Sequence, residues 1–166
     1  IPDINEEMVY TVAAYHDIGH HIDKDNHEKI SAEILKKDNK LKEFFSEQEI
    51  IIMHDAVEDH RASNPTSPRN IYGKIISSAD RNTNVLTTLK RAYSYNKKHY
   101  QNLSETEIIE ECFKHLKNKY GKNGYATKKI FFEDEEYNTY LKQMDYITQN
   151  IEKFKKEMEK IQWIII

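Results

Sequence analysis

Turn-forming residues are scarce in this chain, with four glycines and three prolines among 166 residues. Sandwiches and barrels punctuate their strands with turn signals roughly every 8–12 residues, so this scarcity excludes a many-stranded fold and favours helices. Cysteine is rarer still. Cys112 stands alone, which excludes an internal disulfide and a cysteine zinc cluster. A single thiol fits a reducing compartment, and a cytoplasmic location is the expectation. Long apolar runs are missing too. Stretches such as Ile50-Ile51-Ile52-Met53 fall far short of the roughly 20 residues that a membrane span needs. Charge of one sign is also lacking. With 25 Lys and Arg against 28 Asp and Glu, the net charge is −3, which excludes a generic basic binder of duplex nucleic acid.

What remains is a charged chain whose apolar residues recur at helical spacing, and the fold expected is all-α. A helix over about 5–17 carries Met8, Val9, Val12 and Ala13, capped at Asp3 or Asn5 and ended by Gly19. A second starts near His27. A third opens with the capping box Ser46…Glu49 and carries Ile50, Met53, Val57 and His60 on one face. Asn64–Pro68 is a loop. A fourth helix runs from Tyr72 through Ile76 and Ala79 to Leu86, and a fifth opens with the box Ser104…Glu107. Residues 121–132, with Gly121 and Gly124, read as a loop.

The last helix is expected as one piece over about 134–162, with apolar residues at 3-4 spacing that include Ile147, Ile151 and Phe154. That spacing has two readings, a helix packed on its own domain and a seam for a homodimer. The whole chain, 1–166, is expected to form a single bundle of about six helices. Its chemistry-bearing part covers about 5–90, followed by a helical extension over about 104–166.

Histidine is unevenly distributed. Six of the eight lie in the first 60 residues: His16, His20, His21, His27, His54 and His60. His16-Asp17 closes an apolar helix just before Gly19. An imidazole nitrogen and a carboxylate oxygen at such a helix end can meet on one ion. A mixed N/O site of that kind suits Mn, Fe, Co, Ni or Zn better than Mg or Ca. Asp80, beside an apolar stripe, is a further carboxylate candidate. No nucleophile competes. Cys112 lies on an apolar stripe and reads as core, and there is neither a glycine-rich phosphate loop nor a serine elbow.

Ala14-Tyr15-His16-Asp17-Ile18-Gly19 and Ser78-Ala79-Asp80-Arg81 together resemble the HD-domain superfamily of metal-dependent phosphohydrolases. The segment beginning His27-Glu28-Lys29 and the stretch Val57-Glu58-Asp59-His60-Arg61 are similar to those that supply extra histidines in its five- and six-ligand branches. The resemblance implies an HD-like bundle and a metal set of His16, Asp17, His27, His60 and Asp80 holding one or two divalent ions. It implies water activated at the metal and a small phosphate ester or anhydride as substrate, of the nucleotide kind. His16 and Asp17 would be catalytic, and Glu58 or Asp59 would accept a proton. The upstream histidine of the family pattern is absent and is expected on a helix preceding Ile1. His20 replaces a lysine common after the glycine. No Gly-Tyr-Pro follows His60, which weighs against cyclic dinucleotides. His54-Asp55 is similar to a motif of the stringent-response hydrolases. Only His16-Asp17 leaves matching residues both between and after, so His54 reads as a helix-surface residue.

All four arginines, Arg61, Arg69, Arg81 and Arg91, cluster within 61–91. Arginine is favoured where two-pronged contact to phosphate is needed. Arg61, Arg69 and Arg81 are therefore substrate-binding candidates, with structural ion pairs to Glu58 or Asp59 as the competing reading, and His20 is a further candidate. A non-catalytic helical module for oligomerisation or ligand sensing is the alternative function, and metal content discriminates the two.

Overall fold

Hydrogen bonds of the i→i−4 kind dominate the backbone, as the scarcity of turn residues requires. The computed structural model describes residues 3–165, with side chains as far as 161. Among these are eight α-helices and no strand. No helix of the described residues is long and apolar enough to cross a membrane. The chain divides into two compact units, Ile1–Asp80 and Arg81–Ile166.

The first unit holds α1 (Glu6–Tyr15), α2 (His27–Lys37), α3 (Glu47–Asp59) and α4 (Ile71–Ala79) around a core of Met8, Val12, Leu35, Met53, Val57 and Ile76. Asn5 caps α1 by accepting from the Glu7 and Met8 N–H groups, so Asn5 rather than Asp3 fills that role. The capping box Ser46…Glu49 is present at α3. Helix α1 stops at Tyr15, short of the expected residue 17. Its end tightens into turns, with Ile18 N–H donating to Tyr15 C=O at 3.1 Å and His20 N–H to Asp17 C=O at 2.9 Å. These turns lie directly against α2. A Cβ on Gly19 would stand 2.8 Å from Ile30 Cγ2 and 2.9 Å from the Ser31 nitrogen. The Gly19 N–H donates to the buried Ser31 hydroxyl at 2.9 Å. Only glycine permits that approach, and it carries Asp17 to the start of α2.

The second unit holds α5 (Val85–His99), α6 (Glu105–Tyr120), α7 (Glu135–Ile147) and α8 (Ile151–Ile165). Its core includes Leu89, Cys112, Leu116, Tyr140, Met144 and Phe154. Cys112 is fully buried, and burial pushes its thiol pKa up to about 11, as an inert core residue requires. The box Ser104…Glu107 opens α6 as expected.

Two expected helices are broken. The stripe from Tyr72 to Leu86 is not one helix, because Asn82 and Asn84 offer their side-chain oxygens to the backbone. Asn82 Oδ1 accepts from Asn84 N–H at 3.0 Å, and Asn84 Oδ1 accepts from Thr87 N–H at 2.9 Å, which starts α5 anew. The expected helix over 134–162 is two. Thr148 turns its hydroxyl onto the Met144 carbonyl at 2.7 Å, and Asn150 accepts from Lys153 N–H at 2.9 Å to start α8. Ile147 and Phe154 are buried in this unit's own core and Ile151 packs against it. The apolar spacing is thus that of packing helices within the chain.

Candidate metal centre

Four places in the first unit supply the cluster: the end of α1, the start of α2, the end of α3 and the end of α4. His16 caps α1, His27 opens α2, His60 caps α3 and Asp80 caps α4. The last carbonyls of a helix lack intrahelical partners, and His16 and His60 turn to carbonyls three residues earlier at such ends, while His27, at a helix start, turns to a carbonyl of the preceding loop. His16 Nδ1 meets Ala13 C=O at 2.7 Å, His27 Nδ1 meets Lys24 C=O at 2.8 Å, and His60 Nδ1 meets Val57 C=O at 2.7 Å. A carbonyl can only accept, so each Nδ1 carries the proton. In a neutral ring, Nε2 is then the lone-pair nitrogen, as in metal-ligating histidines held by an outer partner.

The three Nε2 atoms converge on the two carboxylates. Asp17 Oδ1 is 3.2 Å from His27 Nε2 and 3.7 Å from His60 Nε2. Its other oxygen is 3.7 Å from His16 Nε2, which is also 3.7 Å from Asp80 Oδ1. Asp17, His27 and His60 alone form a group able to hold one ion. His27 Nε2 and His60 Nε2 lie 3.3 Å apart. Two lone pairs so close and so buried repel unless a proton or a cation lies between them, and this donor chemistry fits a divalent transition ion. His27 and His60 form a buried floor, while Asp17 and Asp80 are exposed at the rim.

Electrostatics follow this layering. The Asp80 carboxylate facing His16 raises that ring's pKa to about 9, helped by the Ala13 carbonyl and Asp17 and opposed by burial. Burial lowers the pKa of His60, and the neighbouring His16 and His27 rings lower it further. For Asp80, burial acts upward, but His16, His60 and His27 together outweigh it and hold the carboxyl below its ordinary value.

The remaining candidates are placed differently. His20 is exposed, its ring centroid 5.3 Å from that of His27. Glu58 and Asp59 turn to Arg69 and not to the cluster. Arg69 Nε is 2.9 Å from Asp59 Oδ2, its Nη1 is 3.0 Å from Asp55 Oδ1, and its Nη2 donates to Glu58. Those carboxylates raise the guanidinium's pKa, Asp59 foremost. The second group of metal-type donors, His54, Asp55 and Glu58, thus already faces an internal cation. His54 is not a free surface residue: it bridges Asp55 at 3.1 Å and Glu33 at 3.5 Å. Arg61 donates to Glu28 Oε2 at 3.1 Å and to Asp25 C=O at 2.6 Å. Arg81, in the second unit, donates to Lys129 C=O and lies 4.7 Å over the Tyr137 ring. The ion-pair reading of Arg61 and Arg69 therefore matches their contacts, though Arg61 pairs with Glu28 and not with Glu58 or Asp59. Glu28, which the sequence analysis does not single out, is the partner of Arg61. It is charged yet only 7 % exposed, and its one signal was its place directly after His27.

Comparison with protein families matches residues 1–84 to the HD domain. No significant match was found among curated proteins or among solved structures. The match spans half of the chain and contains every residue of the cluster. The chain belongs to the HD domain family, which is generally one of metal-dependent hydrolases.

Proposed function

We propose that this protein is a phosphohydrolase that uses one or two divalent transition ions held by His16, Asp17, His27, His60 and Asp80. The observation that carries this reading is the convergence of three Nε2 atoms, each fixed by its own Nδ1 contact, on two carboxylates. When bound, such an ion supplies Lewis acidity at a phosphoryl oxygen and lowers the pKa of a water. The two oxygens of Asp17 face different partners, His16 on one side and His27 with His60 on the other. Asp17 would therefore serve as a ligand whether one ion or two were bound. The exposed rim at Asp17 and Asp80 leaves the approach to the floor open to a phosphate group. His20, exposed and next to His27, would offer an N–H to an anionic oxygen. A nucleotide as the phosphate carrier rests on the family resemblance.

The test is metal analysis of the purified chain, followed by chelation, reconstitution with Mn²⁺, Fe²⁺ or Co²⁺, and a screen of nucleotides and phosphodiesters. Stoichiometric transition metal and metal-dependent phosphate release are expected. A chain that held no metal after reconstitution would favour the non-catalytic module.

A further inference from the structure

His27 and His60 come from helix ends 33 residues apart in sequence, and helix ends are where the hydrogen-bond ladder is incomplete and opens first. Something must hold two lone-pair nitrogens 3.3 Å apart. The residues that follow them in sequence, Glu28 and Arg61, are in contact. Glu28 follows His27 at the start of α2, and Arg61 follows His60 at the end of α3. Arg61 Nη1 reaches Glu28 Oε2 at 3.1 Å and the Asp25 carbonyl at 2.6 Å. The neighbouring Lys24 carbonyl is the one that accepts from His27 Nδ1, at 2.8 Å. The Glu28 carboxylate lies 3.8 Å from that same Nδ1. One guanidinium therefore grips both the helix start that bears His27 and the backbone that sets its tautomer.

We propose that Glu28 and Arg61 are positioning residues. Together they clamp the start of α2 to the end of α3 and hold the His27 and His60 Nε2 atoms at ion-binding separation. The charge of Arg61 serves this clamp in place of substrate phosphate. Glu28 is almost fully buried, so its charge requires a partner, and within this site Arg61 is the cation it meets. The proposal rests on the metal reading above. It also makes a statement about His27 that holds without any ion: the ring stays in the Nδ1–H form because its carbonyl partner is held in place.

The experiment uses the full chain as wild type, Glu28→Gln, Arg61→Met, Arg61→Lys and the Glu28→Gln/Arg61→Met double variant. Loss of an outer partner of a metal-ligating histidine typically costs about 10- to 100-fold in metal affinity. Co²⁺ titration should show a fall of that size for Glu28→Gln and for Arg61→Met. The double variant should be no weaker than the worse single, because both remove the same contact. Arg61→Lys should recover part of the loss. In chelator-treated samples, long-range ¹H–¹⁵N spectra should show His27 as the Nδ1–H tautomer in wild type and as a mixture in Arg61→Met. The proposal is overturned if all variants keep wild-type Co²⁺ affinity and the His27 tautomer while Arg61→Met raises KM alone, since Arg61 would then bind substrate. It is also overturned if the losses of the two singles add. Wild type that bound no Co²⁺ would instead remove the metal reading, and the tautomer spectra would still judge the clamp. Should Arg61→Met fail to fold, Glu28→Gln, which keeps shape and an acceptor, decides on both readouts.

Discussion

Asp17 is the residue on which the cluster turns, since its two oxygens face all three histidines within 3.7 Å. Its side chain is half exposed, at 51 %. Asp17→Ala should therefore abolish stoichiometric metal binding while leaving the helical circular dichroism unchanged. Full metal content in that variant would show that Asp17 is not a ligand. His16 sets the pH response. Its pKa is raised from 6.5 to about 9 in the folded chain, so the fold without metal binds an extra proton between those values. The resulting stability is fully present below 6.5 and is lost as the pH rises through about 9. An ion at Nε2 must displace that proton, so ion affinity runs the other way. Calorimetric titration with Co²⁺ should find affinity rising from pH 6.5 toward about 9 and flattening above it. Affinity already flat above pH 7 would mean that His16 does not compete for the ion. The candidate residues of this site were legible in the chain through its family resemblance, and His16, Asp17, His27, His60 and Asp80 lie together in the fold. The partners of the arginines were not legible. Arg61 meets Glu28 across 33 residues of sequence, and no local spacing carries that pairing.

At the scale of elements, the turn after α1 is the structural device that brings Asp17 to α2. Gly19→Ala would place a Cβ 2.8 Å from Ile30 Cγ2 and 2.9 Å from the Ser31 backbone, and backbone cannot simply rotate away. Overpacking of this kind costs about 1–3 kcal/mol. Urea denaturation should show that loss, and Co²⁺ affinity should fall with it, because Asp17 moves relative to His27. An alanine variant with unchanged stability would show that the turn has room. The capping boxes offer a contrast. Ser46→Ala and Ser104→Ala should each cost about 1 kcal/mol, the usual value of a lost N-cap. Neither should alter metal binding, since Ser46 lies at the opposite end of α3 from His60, and Ser104 caps α6 in the second unit, which bears no cluster residue. Both boxes were readable from sequence because a Ser–x–x–Glu pair acts within a single turn. The breaks at Asn82–Asn84 and Thr148–Asn150 carry no such signature. Their apolar stripes continue across the break, and neither glycine nor proline marks it. Asn84 and Asn150 were the available signals, each accepting a backbone N–H three residues on.

Every cluster residue belongs to the unit Ile1–Asp80, and the HD match covers residues 1–84. Ion binding stabilises whatever holds the ligands, by about 2.7 kcal/mol at a hundredfold excess over Kd. Hydrogen exchange with and without Mn²⁺ should therefore show slowed exchange in α1–α4 and little change in α5–α8. Protection confined to the second unit would place the ion elsewhere. The sequence by itself determined the helical class, the two capping boxes, the buried core position of Cys112 and the candidate residues of the cluster. Each depends on short-range periodicity, on a local side-chain-to-backbone contact or on a recognisable order of residue types. Tertiary structure decided the rest. Packing of α2 and α4 on α3, with the 16–22 turn against α2, brought His16, Asp17, His27, His60 and Asp80 into one cluster. It also assigned Arg61 to Glu28, Arg69 to Asp55, Glu58 and Asp59, and Arg81 to a carbonyl and an aromatic ring. A guanidinium pairs with whichever carboxylate, carbonyl or ring the fold brings to it, and that choice is made by residues distant in the chain.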